Sequence, residues 1–114
     1  MNPMPVPTAK IDQVPTELPE TLVLLDVREP SEWSAGHATQ ARHIPLGELQ
    51  DRIAEVPADR QVLVVCHSGG RSARATAFLR TQGVEAINLE GGMLAWEHAQ
   101  RPMVSETDAP PQVL

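Results

Sequence analysis

The sequence predicts an α/β fold in which a central, mostly parallel sheet is covered by helices on both faces. Short apolar segments alternate with helical stretches, which is the pattern of parallel strands joined by helices. Residues 61–65 end in four consecutive apolar residues, as strands of buried parallel sheets do. With 114 residues, 41% of them apolar, the chain has enough material for one domain with a single core.

The strands are assigned to the short apolar segments and the helices to the stretches between them. Gly83 is expected to end the main helix, because glycine readily adopts the left-handed backbone found just after helices. In chain order, the predicted elements are a strand at 21–25, a helical turn at 30–34, a strand at 42–44, a helix at 46–56, a strand at 61–65, a helix at 72–82, a strand at 86–89 and a helix at 93–98.

Proline distribution separates the ends of the chain from its body. Five prolines occur in the first nineteen residues, and two more lie at 110 and 111. Proline disrupts regular structure because it lacks a backbone N–H. We therefore predict an extended, proline-rich segment over residues 1–19, a folded domain over 20–103 and a flexible tail over 104–114.

The most informative motif joins the strand at 61–65 to the helix that follows. It consists of Cys66, His67, Ser68, Gly69, Gly70 and Arg71, and it holds the only cysteine of the chain. Two glycines allow successive backbone N–H groups to converge on one point, which creates an anion-binding nest. A cysteine at a helix N-terminus also has a lowered pKa, because the helix dipole favours the thiolate.

The charges around this motif differ from those of the whole chain, which carries a net charge of -6. Three arginines, at 71, 74 and 80, and no acidic residue lie between Gly69 and Gly83. An arginine in a first helical turn is mildly unfavourable, because its positive charge opposes the helix dipole, unless an anion is bound there. We therefore expect a bound anion near Arg71 and Arg74. The alternative is that Cys66 is a small buried apolar residue and that the arginines form a solvated face.

Other segments have an order and spacing that are specific in combination. They are LLDVREP at 24–30, EW at 32–33, GH at 36–37, IPL at 44–46, NLEGGM at 88–93 and AW at 95–96. Together with residues 66–72 they make the chain resemble a single-domain rhodanese, a family of sulfurtransferases, over roughly residues 21–103. The stretch from Ala38 to His43 departs from the family pattern, which has an Ile-Pro-Gly-Ala-like segment there and an asparagine before Ile-Pro.

The resemblance implies a single rhodanese-like domain over residues 20–103 and a double-displacement reaction. Thiolate at Cys66 attacks the outer sulfur of a small anionic donor such as thiosulfate, releases sulfite and retains the sulfur as a persulfide. An external thiol, cyanide or a protein acceptor then removes this sulfur. The residues expected to bind the substrate are His67, Ser68, Gly69, Gly70, Arg71 and Ser72, with Arg71 steering the anionic donor.

Three further residues are expected to support the site. Asp26 and Arg28 follow the strand at 21–25, whose end lies at the same sheet edge as Cys66 if the strands are parallel. A structural role and a direct substrate role for Asp26 stay open at this point. Arg74 is a second, weaker candidate for binding the anion.

The resemblance leaves alternative functions open. Phosphatases and arsenate reductases of this fold carry seven residues from cysteine to arginine, whereas sulfur-transferring rhodaneses carry six, as this chain does. Sulfur transfer is therefore favoured, and phosphatase or arsenate reductase chemistry is the runner-up. A sulfur carrier, or a rhodanese module that only binds a protein partner, is a further alternative.

Composition and cysteine usage indicate the expected surroundings. The acidic balance argues against nucleic acid or an anionic membrane as partner. We find no apolar segment for secretion or membrane spanning, and a single cysteine suits a reducing compartment, so the cytoplasm is expected. The histidines lack zinc-site spacings, and no metal or cofactor is expected. Oligomeric state is undetermined, with a monomer as the expectation.

Overall fold

The computed structural model describes residues 6–114. Its strands are β1 (Thr8–Ala9), β2 (Leu22–Asp26), β3 (His37–Ala38), β4 (Arg42–His43), β5 (Gln61–Val65), β6 (Glu85–Leu89) and β7 (Met103–Val104). Its α-helices are α1 (Pro30–Ala35), α2 (Gly70–Thr81) and α3 (Gly92–His98). Three short 3-10 helices occupy Ile11–Gln13, Leu46–Glu48 and Ile53–Glu55.

A parallel five-stranded sheet forms the centre of the fold, in the order β1-β6-β5-β2-β4. The apolar segment at 61–65 is its middle strand, as expected for the most apolar segment. Val65 lies opposite Asp26 of β2, and Val64 lies opposite Asn88 of β6. The carboxyl ends of three strands therefore meet at one edge, where ligand sites of open α/β sheets are found.

Helices cover both faces of this sheet because side chains of β5 alternate between two cores. Val62 and Val64 pack in one apolar cluster with residues of α2, and Leu63 and Val65 pack in another with residues of α3. The predicted α/β class, with helices on both faces of a mostly parallel sheet, is thereby confirmed. Gly83, with φ of +81°, follows the end of α2 as predicted.

The predicted helix over residues 46–56 is wrong. Two 3-10 helices, Leu46–Glu48 and Ile53–Glu55, replace it, each closed by a backbone hydrogen bond to the third residue back. Gly47 weakens helical propensity here, and the separate turns allow Leu49 and Val56 to reach the buried core.

Hydrogen bonds extend beyond both predicted domain boundaries. Before residue 20, β1 pairs in parallel with β6. After residue 103, the backbone N–H groups of Glu106 and Gln112 donate to carbonyl oxygens of Ser34 and Ala35. The boundaries themselves stay a prediction, and residues 1–5 of the N-terminal segment lie outside the described residues.

No helix within residues 6–114 has the length and apolar character needed to cross a membrane.

Candidate active site

Cys66 lies directly after β5, at the sheet edge where the carboxyl ends of β2, β5 and β6 meet. Its side chain is almost fully buried, at 1% relative exposure, beneath an open cavity of about 410 Å³. The cavity is lined by Cys66, His67, Ser68, Gly70, Arg71 and Arg74. The structure thus brings most of the predicted loop and Arg74 to a single concave surface.

Groups from the loop and from the start of α2 hydrogen-bond the sulfur of Cys66. The backbone N–H of Gly69 donates to Sγ at 3.1 Å, and the hydroxyl of Ser72 lies 3.2 Å from Sγ. Gly69 has a φ of +120°, a conformation that other residues rarely adopt, and this turns the chain back over the sulfur. Both groups come from the loop and the first turn of α2, so the sequence of residues 66–72 suffices to build this cradle.

The environment lowers the pKa of the Cys66 thiol below its ordinary value. Burial acts in the opposite direction and raises the pKa, because desolvation disfavours the charged sulfur. Hydrogen bonds from the Ser72 hydroxyl and from the backbone N–H groups of Ser72, Gly69 and Ser68 outweigh burial by stabilising the thiolate. The cradle therefore favours a nucleophilic sulfur.

Ser72 is fully buried and links the sulfur to a residue that sequence reasoning missed. Its Oγ lies 2.5 Å from Oδ1 of Asn88, on β6, as well as near Sγ. A serine hydroxyl has a single proton, so Asn88, the sulfur and the carbonyl oxygen of Gly69, which lies 3.2 Å from Oγ, compete for it. Two sequence signals were available: Asn88 is the one polar residue of the strand predicted at 86–89, and it begins the NLEGGM segment.

Replacing Ser72 with Ala is expected to raise the pKa of the Cys66 thiol, because a hydrogen bond to the thiolate is lost while the burial remains. The thiolate is the reactive form, so the rate of alkylation by iodoacetamide rises as pH increases through the thiol pKa. We expect the rise to move to higher pH and the rate at neutral pH to fall by about tenfold.

Ser68→Ala is the matched control, since it removes an exposed hydroxyl from the same loop and keeps the backbone N–H. An alkylation profile that has the same midpoint in Ser72→Ala and in the unmodified protein would contradict the role given to the hydroxyl.

The N-terminus of α3 supports the loop from behind. The backbone N–H groups of Met93 and Leu94 donate to the carbonyl oxygens of Cys66 and His67 at 2.8 and 3.1 Å. Gly92, with φ of +53°, permits this approach, because an added Cβ would lie 2.4 Å from the carbonyl oxygen of Cys66. Sequence reasoning assigned no role to Gly92, although it lies in the NLEGGM segment at 88–93.

Arg71 lines the cavity, but its charge is already paired in this structure, and its predicted role in binding an anionic donor stays a prediction. Its guanidinium forms a bidentate ion pair with Glu32 of α1, with Nη1–Oε1 and Nη2–Oε2 distances of 2.6 and 2.9 Å. Hydrogen bonding to Arg71 lowers the pKa of Glu32 to about 2, against the opposing effect of burial. The negative charge of Glu32 therefore compensates for the positive charge of Arg71 in the first turn of α2.

The other polar residues of the loop lie around the mouth of the cavity. His67 is partly exposed, and Ser68 and Arg74 are exposed. Arg74 forms no ion pair with any residue between 6 and 114, in contrast to Arg71. Arg74 is thus the more available of the two predicted cations.

Asp26 and Arg28 lie beneath the surface, and neither lines the cavity. The carboxylate of Asp26 accepts hydrogen bonds from Nε and Nη2 of Arg28, at 3.0 and 2.7 Å. Nη2 of Arg28 also donates to the carbonyl oxygen of Gly36, just after α1. Of the structural role and the direct substrate role left open for Asp26, this geometry supports the structural one.

No other part of the described chain offers comparable chemistry. A larger cavity of about 700 Å³ opens at the opposite end of β2, but no thiol lines it. Within residues 6–114, no three histidine, cysteine or acidic side chains cluster as metal ligands would.

Comparisons with known proteins agree with this architecture. The family model for the rhodanese-like domain matches residues 11–99. A sulfurtransferase of Allochromatium vinosum is 38% identical over 87 residues, covering 75% of this chain and 81% of that protein. The thiosulfate sulfurtransferase GlpE of Stutzerimonas stutzeri is 36% identical over 77 residues, covering 67% of this chain and 71% of that protein.

A solved structure shares the fold as well. The crystal structure of a rhodanese-related protein from Thermoplasma volcanium superposes with a TM-score of 0.71 and 34% sequence identity, covering 75% of this chain and 85% of that one. The family model, the relatives and the fold therefore agree that this chain belongs to the rhodanese-like domain family.

Proposed function

We propose that this protein is a rhodanese-type sulfurtransferase that carries a sulfane sulfur on Cys66 as a persulfide. The observation that carries the proposal is the buried sulfur, hydrogen-bonded by the Gly69 N–H and the Ser72 hydroxyl beneath an open cavity. Relatives at 36–38% identity that are named sulfurtransferases support the same reaction class. We place the reaction in a reducing compartment, the cytoplasm, where a single thiol stays free.

In the first half-reaction, the Cys66 thiolate attacks the outer sulfur of a donor such as thiosulfate. A bond forms between Sγ and that sulfur, the sulfur–sulfur bond of thiosulfate breaks, and sulfite leaves with the bonding electron pair. The terminal sulfur of the new persulfide is anionic and faces the backbone N–H groups of the loop. We assign no general base, because the lowered pKa of the Cys66 thiol already favours the thiolate.

In the second half-reaction, an external acceptor removes the sulfur. Cyanide attacks the terminal sulfur, the sulfur–sulfur bond of the persulfide breaks, and the products are thiocyanate and the Cys66 thiolate. A thiol acceptor would take the same sulfur as its own persulfide. The chain has no second cysteine, so it cannot resolve the persulfide internally.

Intact-protein mass spectrometry after incubation with thiosulfate tests this proposal. We expect the protein to gain one sulfur atom, and cyanide to remove it as thiocyanate. Cys66→Ser keeps the side-chain size but leaves no thiol in the chain, so it should gain nothing. Absence of sulfur on the unmodified protein with both thiosulfate and a persulfide donor would overturn the proposal and direct attention to phosphate or arsenate substrates, or to a binding module.

A further inference from the structure

The carboxylate of Glu32 binds the side chain of Arg71, and Arg71 lines the Cys66 cavity. The ion pair is partly buried, with relative exposures of 29% for Arg71 and 18% for Glu32. Partial burial reduces screening by solvent, so the two charges interact more strongly than an exposed pair does. A donor that enters the cavity therefore meets an arginine that is already paired with a carboxylate.

The start of α1 holds Glu32 in this position independently of Arg71. Glu32 is the third residue of α1, and its Oε1 accepts a hydrogen bond from the backbone N–H of Glu29 at 3.0 Å. This is the reciprocal arrangement of a helix-capping glutamate. The same Oε1 accepts from Nη1 of Arg71, so the cap presents the carboxylate to the guanidinium. Arg71 is thus already ion-paired with Glu32 before a donor binds.

The balance of charge at the mouth follows from these contacts. Glu32 neutralises Arg71, and Glu29 adds a second negative charge that acts on the same guanidinium. Arg74 remains as a cation without an ion pair to any residue between 6 and 114. A dianionic donor such as thiosulfate must either displace Glu32 from Arg71 or bind beside a carboxylate, and both are unfavourable.

We infer that Glu32 sets the donor preference of this protein by neutralising Arg71, so that the site disfavours free dianionic donors and favours persulfides, which carry a single negative charge at the reacting sulfur. This inference rests on the proposed sulfur transfer through Cys66. With a persulfide, the Cys66 thiolate attacks the terminal sulfur, the donor's sulfur–sulfur bond breaks, and the donor leaves as a thiolate. The atoms and charge balance without any further reactant.

Glu32→Gln separates the charge of Glu32 from its structural role. Glutamine can still accept the capping hydrogen bond from Glu29, so α1 is retained. We expect kcat/KM for thiosulfate to rise by about tenfold, because Arg71 is released to bind the dianion. With N-acetylcysteamine persulfide, whose remainder is uncharged, we expect a change smaller than about threefold. The measured quantity is the ratio of the two kcat/KM values.

A double-substitution cycle tests whether Glu32→Gln changes kcat/KM for thiosulfate through Arg71. In the Arg71→Ala background, Glu32→Gln should no longer improve the use of thiosulfate. Glu55→Gln is the matched control, because it neutralises a carboxylate in another ion pair, with Arg52, away from the cavity. This control should leave the donor ratio unchanged.

The outcomes distinguish the inference from the proposed function. If the unmodified protein gains no sulfur from either donor, the sulfur-transfer proposal fails. If sulfur is gained but Glu32→Gln leaves the donor ratio unchanged, the inference alone is wrong. A thiosulfate gain that persists in the Arg71→Ala background also overturns it, because Glu32 would then act without Arg71.

Discussion

Asp26→Asn is expected to lower the free energy of unfolding by about 3–5 kcal/mol, the cost of breaking a buried ion pair on one side. Asp26 and Arg28 are both fully buried, and the asparagine would leave the guanidinium charge uncompensated. One amide N–H₂ group would also face the N–H donors of Arg28. Domains of this size have a total stability of about 5–15 kcal/mol, so the substitution removes a large part of it.

Thermal unfolding followed by circular dichroism measures this effect, with an expected fall in Tm of about 15–25 °C. Asp59→Asn is the control, because Asp59 is 85% exposed and lies 3.9 Å from Arg60. We expect this surface pair to contribute less than about 1 kcal/mol. Equal effects of the two substitutions would show that the buried pair has no special role.

A double substitution at Asp26 and Arg28 separates the contribution of the buried charges to stability from that of side-chain packing. Asp26→Leu combined with Arg28→Met removes both buried charges and keeps apolar volume. It should recover much of the stability lost in Asp26→Asn, because the cost arises from the unpaired charge.

Gly92→Ala is expected to lower the free energy of unfolding by about 3–4 kcal/mol and to slow sulfur transfer by about 10–100-fold. The added Cβ would lie 2.4 Å from the carbonyl oxygen of Cys66 and 2.8 Å from that of His67. The start of α3 must then move away and lose its hydrogen bonds to both carbonyls. Since these carbonyls fix the loop, the Cys66 sulfur would lose its position beneath the cavity.

Gly83→Ala measures the free-energy cost of a positive φ alone, without the close contact that an added Cβ makes at Gly92. Gly83 also has a positive φ, of +81°, but an added Cβ would meet nothing within 4 Å. We expect a loss of only about 1 kcal/mol there, with sulfur transfer unchanged. Denaturant unfolding and the rate of thiocyanate formation provide the two measurements. Similar results for both glycines would contradict the close-contact explanation.

The α/β class and the placement of Cys66 follow from local signals in the sequence. The apolar run at 61–65 predicts a buried parallel strand, and the glycine pair with the following helix predicts a loop that curls over the sulfur. Gly69 and Ser72, which hydrogen-bond Sγ, lie within six residues of Cys66. Local backbone preferences decide such contacts, so residues 66–72 were sufficient to locate the cradle, although its catalytic role stays a prediction.

The helix predicted at 46–56 was wrong for the opposite reason, because local preference did not decide the structure there. Helical propensity was weakened at Gly47 but did not exclude a helix, and the structure forms two tight turns through which Leu49 and Val56 both pack into the core. Tertiary packing overrides weak local preference wherever a segment is short.

By itself, the sequence determined the fold class, the single thiol and the loop around it, because strand, turn and cap signals act over a few neighbouring residues. Only the tertiary structure decided what surrounds that loop. Glu32, Asn88 and Gly92 reach it from α1, β6 and α3, and they are separated from their partners by 16 to 39 positions along the chain. Sheet pairing and helix packing bring such residues together, and no local pattern encodes which distant side chain will lie opposite.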